Sequence, residues 1–177
     1  MVKHNVPFFS QKTDIDKEYW QLRGCGITAL KMVMHHWNTR GAIHASHSIA
    51  DLISHGQSIN AYIPNIGWSH PGIVNVAKKF GYDGQNYDPV LSQTEIHIAF
   101  EQMLTELKKY PILASVFPNF DPTIKDGHII VVTGFDGTNV HINNPVEKTP
   151  TLGVKGLDLT SFLNGWKKRY IVIYPRK

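Results

Sequence analysis

The stretch Gly127-His128-Ile129-Ile130-Val131-Val132-Thr133-Gly134-Phe135-Asp136-Gly137-Thr138 runs on into Asn139-Val140-His141-Ile142-Asn143-Asn144-Pro145. A β-branched run, an Asp-Gly turn and a second Val/Ile run read as two antiparallel strands joined by a tight hairpin. Residues 112–117 and 170–174 have the same texture, so an antiparallel sheet is predicted for the last third of the chain. Upstream the period changes. Residues 27–37 carry Leu30, Val33, Met34 and Trp37 at spacings of three and four, and Ala29 and Met32 make the other faces apolar too. That pattern predicts a helix buried on most sides. Further helices are expected over 48–53, over 73–80 with Gly81 as stop, and over 93–110, ended by Pro111. The fold class is therefore α+β, with a helical half of about residues 1–110 and a sheet half of about 111–177. At 177 residues the chain is expected to form one domain.

The chemistry centres on the single cysteine, in Gly24-Cys25-Gly26-Ile27 at the head of the strongest helix. Unpaired amides and the positive end of the helix dipole stabilise a thiolate there, so the thiol pKa is expected to fall. Gly24 and Gly26 would leave room for a substrate backbone beside the sulfur. A thiolate nucleophile needs a base, a group that orients the base, and donors for the oxyanion. His128, at the opening edge of the most apolar strand, is the candidate base. Folding the hairpin about Asp136-Gly137 puts Ile129 opposite Asn144 and His128 opposite Pro145, which brings Asn143 and Asn144 beside the histidine. A two-residue turn places Asn143 on the His128 face; a three-residue Asp-Gly-Thr loop places Asn144 there. Both remain open as orienters. For the oxyanion, the Cys25 amide is one donor, and Gln11 or Gln21 is the second.

Taken in order along nearly the whole chain, these pieces resemble the papain-like cysteine peptidases of the bacteriocin-processing type, and especially the C39-like peptidase family. The resemblance rests on Val6-Pro7-Phe8-Phe9-Ser10-Gln11, Gly24-Cys25-Gly26, Gly67-Trp68, Ala77-Lys78-Lys79-Phe80-Gly81-Tyr82, the Gly127–Gly137 stretch, Asn143-Asn144-Pro145 and Phe162…Trp166. It implies a papain-like fold, with a helical half packed on an antiparallel sheet and a cleft between them. It implies Cys25 as nucleophile, His128 as base and Gln11 at the oxyanion hole. The family's orienting position, usually aspartate in Asn-Asp-Pro, falls on Asn144, which gives a Cys/His/Asn set. The expected activity is hydrolysis of a peptide or amide bond through a thioester. An acyltransferase using the same site, or an inactive peptide-binding module, are the alternatives. Substrate walls are expected from residues 60–71 and 118–126.

Other classes find little support. There are 18 Lys and Arg against 14 Asp and Glu, but they are scattered, and nucleic-acid binding calls for a basic stripe with stacking aromatics. The one tight group, Lys167-Lys168-Arg169, reads as a solvated turn before a strand. His44 and His47, with His35, His36 and His55, lack the glutamate of a zinc hydrolase and a second cysteine, so no metal is expected. No phosphate-cradling loop and hence no nucleotide cofactor is predicted. No apolar run reaches membrane-span length, so membrane insertion is not expected. Without a signal-peptide pattern the expectation is cytoplasmic, although a secreted chain that has lost its leader reads the same way.

Overall fold

The computed structural model describes residues 1–41, 45–88 and 95–177. In chain order the elements are β1 (Val2–Lys3), α1 (Glu18–Gln21), α2 (Cys25–Asn38), α3 (Ile49–Ser58), β2 (Tyr62–Ile63), β3 (Gly67–Trp68), α4 (His70–Lys79) and β4 (Tyr82–Tyr87). They continue with α5 (Ile96–Leu107), β5 (Ile112–Val116), a 3-10 turn (Pro118–Phe120), β6 (His128–Phe135), β7 (Asn139–Asn143), α6 (Pro150–Gly153), β8 (Val154–Asp158), α7 (Leu159–Gly165) and β9 (Trp166–Pro175). One antiparallel sheet runs in the order β4-β9-β5-β6-β7-β8, with β1 added to the far end of β6. Strands β2 and β3 form a separate hairpin.

Side-chain alternation along the strands separates two cores. Leu113, Ile129, Val131, Ile171 and Ile173 face α2, α3 and α4, where Ile27, Leu30 and Val33 meet them. Ile112, Ala114, Ile130, Val132, Ile142 and Val172 face the opposite way, onto Phe100, Met103 and Leu107 of α5 and Phe162 of α7. Helices thus cover both sheet faces, and the expected division into halves is looser than predicted. The strand β4 from the first half makes the sheet edge, and α7 lies in the second half. Tyr82-Asp83-Gly84-Gln85-Asn86-Tyr87 lacks the β-branched signature, so its strand character comes from pairing with β9.

Several boundaries move. α2 begins two residues before the predicted start, which puts Cys25 in its first turn. α3 runs five residues beyond its predicted end, started by a capping box between Ser48 and Asp51. The predicted helix start at Gln93 lies outside the described residues. The hairpin register is also corrected. The loop is neither the two- nor the three-residue one: four residues, 136–139, separate the paired Phe135 and Val140, with Gly137 at φ +104° and the Asp136 carboxylate accepting from the Thr138 and Asn139 amides. Beyond it Phe135 pairs with Val140 and Gly134 with His141, then the register shifts at Thr133 so that Val131 pairs with Asn143. That bulge flips the facing of every residue beyond it, so His128 shares a sheet face with Asn144, not Asn143. Lys167-Lys168-Arg169 is not a turn before a strand. It sits inside β9 as a second irregularity, where Val116 pairs with Trp166 but Ser115 with Arg169, and Lys168 takes φ +58°.

Candidate active site

Cys25 heads α2, behind an N-cap glycine that offers no side-chain cap. The first-turn amides are therefore left for other acceptors. The Cys25 sulfur receives the Gly26 and Ile129 amides and interacts with the His128 imidazole. Burial pushes the thiol pKa up; the bond to His128, its positive charge and the two amides outweigh that and bring it below the ordinary value. His128 moves the opposite way. Burial lowers its pKa, but the Cys25 sulfur, then Asn144 and the more distant Glu147 carboxylate, raise it above the usual histidine value. The two shifts together favour a thiolate–imidazolium pair.

Asn144 fixes the ring. His128 Nε2 donates to Asn144 Oδ1 at 2.6 Å, and the same oxygen accepts from the Val146 amide at 3.4 Å, which leaves Nδ1 for the sulfur. The Asn144 amide is itself bonded to the Gly153 carbonyl, so the side chain stands on a tied backbone. Asn143 is directed elsewhere: its Nδ2 donates to the Val6 carbonyl at 2.9 Å and anchors the amino-terminal segment.

Gln11 is buried at the wall of the same cleft. Its backbone amide bonds the Pro145 carbonyl, its Nε2 donates to the Gln21 carbonyl at 2.9 Å, and its Oε1 has no partner. The Gln21 side chain points away, donating to the Ile15 carbonyl. Cys25, His128, Asn144 and Gln11 are thus together, whereas Asn143 and Gln21 serve as struts. The two glycines serve packing more than substrate approach. A Cβ on Gly24 would lie 2.6 Å from Ile15 Cδ1 and 2.7 Å from the Trp20 carbonyl; one on Gly26 would lie 3.0 Å from Ile73 Cδ1.

The cleft has a volume of about 880 Å³ and is walled, as expected, by parts of residues 60–71 and 118–126, including Ile66, Trp68, Pro118 and Asp126. Trp68 is pinned by its indole N–H on the Arg23 carbonyl. A polar group that sequence reasoning missed lines the far arm: His70, Asp88, Ser115 and Arg169. Nothing local links these four residues, which only the strand order and the start of α4 bring together. The predicted histidine cluster disperses. His36 Nδ1 bonds the Asn5 carbonyl, His47 and His55 flank Phe80, and His44 lies outside the described residues. Among the described residues no three His, Cys, Asp or Glu side chains group as metal ligands, and no helix is long and apolar enough to cross a membrane.

Comparison with known proteins gives a sequence-family match, the Peptidase_C39 like family, over residues 3–172. No curated protein sequence matches. Among solved structures, a putative C39-like peptidase from Bacillus anthracis is similar at TM-score 0.64 and 16% identity, covering 99% of this chain and 98% of that one. A double glycine motif protease from an AMS/PCAT transporter, in complex with the leader peptide, gives 0.63 and 16%, covering 99% and 95%. The peptidase domain of Streptococcus ComA, a bi-functional ABC transporter, gives 0.62 and 22%, covering 88% and 93%. These likenesses establish the papain-like fold: helices against a large antiparallel sheet.

Proposed function

The chain belongs to the Peptidase_C39 like family, which makes it a cysteine peptidase at family level, and from that premise we propose that Cys25 cleaves a peptide bond through a thioester. The Cys25 thiolate attacks the carbonyl carbon, and the oxyanion that forms takes hydrogen bonds from the Cys25 amide and the Gln11 Nε2–H. His128 passes its proton to the amine as the C–N bond breaks. It then takes a proton from water, which attacks the thioester, frees the acid and returns the thiolate–imidazolium pair. Asn144 is a positioning residue: it holds the ring so that Nδ1 meets the sulfur. As a neutral acceptor it orients the imidazolium without the full charge stabilisation of a carboxylate.

The observation that carries this reading is the Asn144–His128–Cys25 chain, with Nε2 engaged at 2.6 Å and opposed pKa shifts on the thiol and the ring. A peptide as substrate is supported by the leader-peptide complex of the similar double glycine motif protease. The test is incubation with a proteome-derived peptide library, reading new termini by mass spectrometry. Cleavages that recur at a shared sequence and vanish in Cys25→Ala are expected, with an acyl adduct on Cys25 when turnover is quenched. Products capped by an added amine instead of water would make the protein a transferase. A library left intact, with no adduct, would overturn the reading.

A further inference from the structure

Strand β5 lies next to β6, and β9 next to β5, so the residues level with Ile129 form a row across the sheet. Ile129 pairs with Ser115, and Ser115 pairs with Arg169. Asp88, one residue beyond the Tyr87–Tyr170 pair, closes the row with its carboxylate 2.9 Å from the Arg169 guanidinium. His70, in the first turn of α4, reaches over from the opposite wall and its Nε2 meets Ser115 Oγ at 2.6 Å. The Ile129 amide is bonded to the Cys25 sulfur, so this polar row begins at the reacting atom and leads away from Asn144. With strands about 4.8 Å apart, Ser115 and Arg169 stand about 5 and 10 Å from that start. An extended peptide advances about 3.3 Å per residue, so they fall level with the second or third residue from the scissile bond.

An apolar row would be the default on this face, since Leu113, Val131 and Ile171, two positions along the same strands, are all core. Instead the cleft arm offers a hydroxyl, an imidazole and a guanidinium. Arg169 keeps 43% of its side chain exposed although its Nε faces Asp88. Lys167, whose Nζ donates to the Asp126 carbonyl at 2.6 Å, adds a cation at the same end. Among the described residues the cleft lining carries four cations (Lys12, Arg23, Lys167 and Arg169) against two carboxylates, Asp88 and Asp126. The planar arginine fork is suited to a planar carboxylate, which it can meet with two N–H groups while Ser115 donates a third bond.

We propose that the arm formed by Ser115, His70 and Arg169 is a specificity subsite for an acidic side chain, Asp or Glu, two or three residues from the scissile bond. The inference rests on Cys25 being the nucleophile of this cleft. Arg169 is the specificity-determining residue, and the Asp88 carboxylate pairs with its charge from 2.9 Å at Nε.

The test uses short peptides that end in a thiol-reactive electrophile, with each position in turn carrying Glu, its isostere Gln, or Lys. The readout is the rate of Cys25 modification. At one position the Glu reagent is expected to react at least about tenfold faster than the Gln reagent, equivalent to about 1.4 kcal/mol. Arg169→Met is expected to cut that ratio to below about threefold, and Arg169→Lys to leave an intermediate ratio. Equal rates for Glu and Gln at every position, or a preference that survives Arg169→Met in folded protein, would overturn the proposal. Iodoacetamide, which has no side chain to recognise, separates the two readings. Its rapid reaction, lost in His128→Ala, belongs to the catalytic pair, and its rate is expected to stay within about twofold in the Arg169 variants.

Discussion

Replacing Asn144 by alanine removes the acceptor 2.6 Å from His128 Nε2 and leaves the Asn144 backbone bond to Gly153 in place. A hydrogen bond to a charged group in a buried site contributes about 1.5–3 kcal/mol. Without it the imidazolium is less stable, so His128 holds its proton less tightly and Cys25 loses part of the charge that lowers its pKa. At about 1.36 kcal/mol per factor of ten, the ratio of ion pair to neutral pair falls about 10- to 160-fold. The assay is iodoacetamide alkylation at about pH 6, where an ordinary thiol of pKa about 8.5 is almost wholly protonated and only the ion pair reacts. The rate is expected to fall by up to that factor. Asn144→Asp, which keeps the acceptor and adds charge, should restore it and carry the reactive plateau to higher pH. Asn144→Ala reacting at the wild-type rate over the same pH range, in folded protein, would refute the positioning role.

Gln11→Ala removes an oxyanion donor, and peptide cleavage should drop roughly 10²–10³-fold. Iodoacetamide alkylation, which forms no oxyanion, should change by less than about twofold. Gly24→Ala would drive a Cβ into the Trp20 carbonyl at 2.7 Å. Overpacking of this kind costs about 1–3 kcal/mol, so calorimetry should give a melting temperature lower by roughly 2–12 °C. Tyr82 donates to the Met34 carbonyl at 2.9 Å from a fully buried position, and burial pushes its phenol pKa up to about 12. An acid whose folded pKa is raised contributes stability below its unfolded value, about 10 for tyrosine, and loses it as the pH climbs through the folded value. Tyr82→Phe should therefore lower the urea midpoint at neutral pH and flatten the loss of stability between about pH 10 and 12.

The legible parts of the fold were those in which local pattern and tertiary need coincide. Leu30, Val33, Met34 and Trp37 mark α2, and the Val/Ile runs mark β5, β6, β7 and β9, because burial demands those residues in those periods. The strand β4 and the polar trio inside β9 were illegible for the converse reason. Asp83, Gln85 and Asn86 lie on the sheet edge, and Lys167 and Lys168 sit in a bulge, so none must be apolar. The site was half legible. Cys25 and His128 announce themselves by position at a helix head and a strand edge, and the resemblance supplied Gln11 over Gln21. It also supplied Asn144 over Asn143, which the residues alone left open because their facing turns on a bulge at Thr133 that no sequence signal marks. His70, Asp88, Ser115 and Arg169 are far apart in the chain, and strand order, a long-range property, is what unites them.

Cys25 is the chain's one cysteine, so the ultraviolet thiolate band of the whole protein reports on this residue alone. Titrating that band against pH, with Cys25→Ser as the blank, tests the thiolate–imidazolium pair most directly. The account predicts that in wild type the band rises well below about pH 8.5, the ordinary thiol value, and that His128→Ala moves the rise upward. A band that appears only at the ordinary value, at the same pH with and without His128, would contradict it.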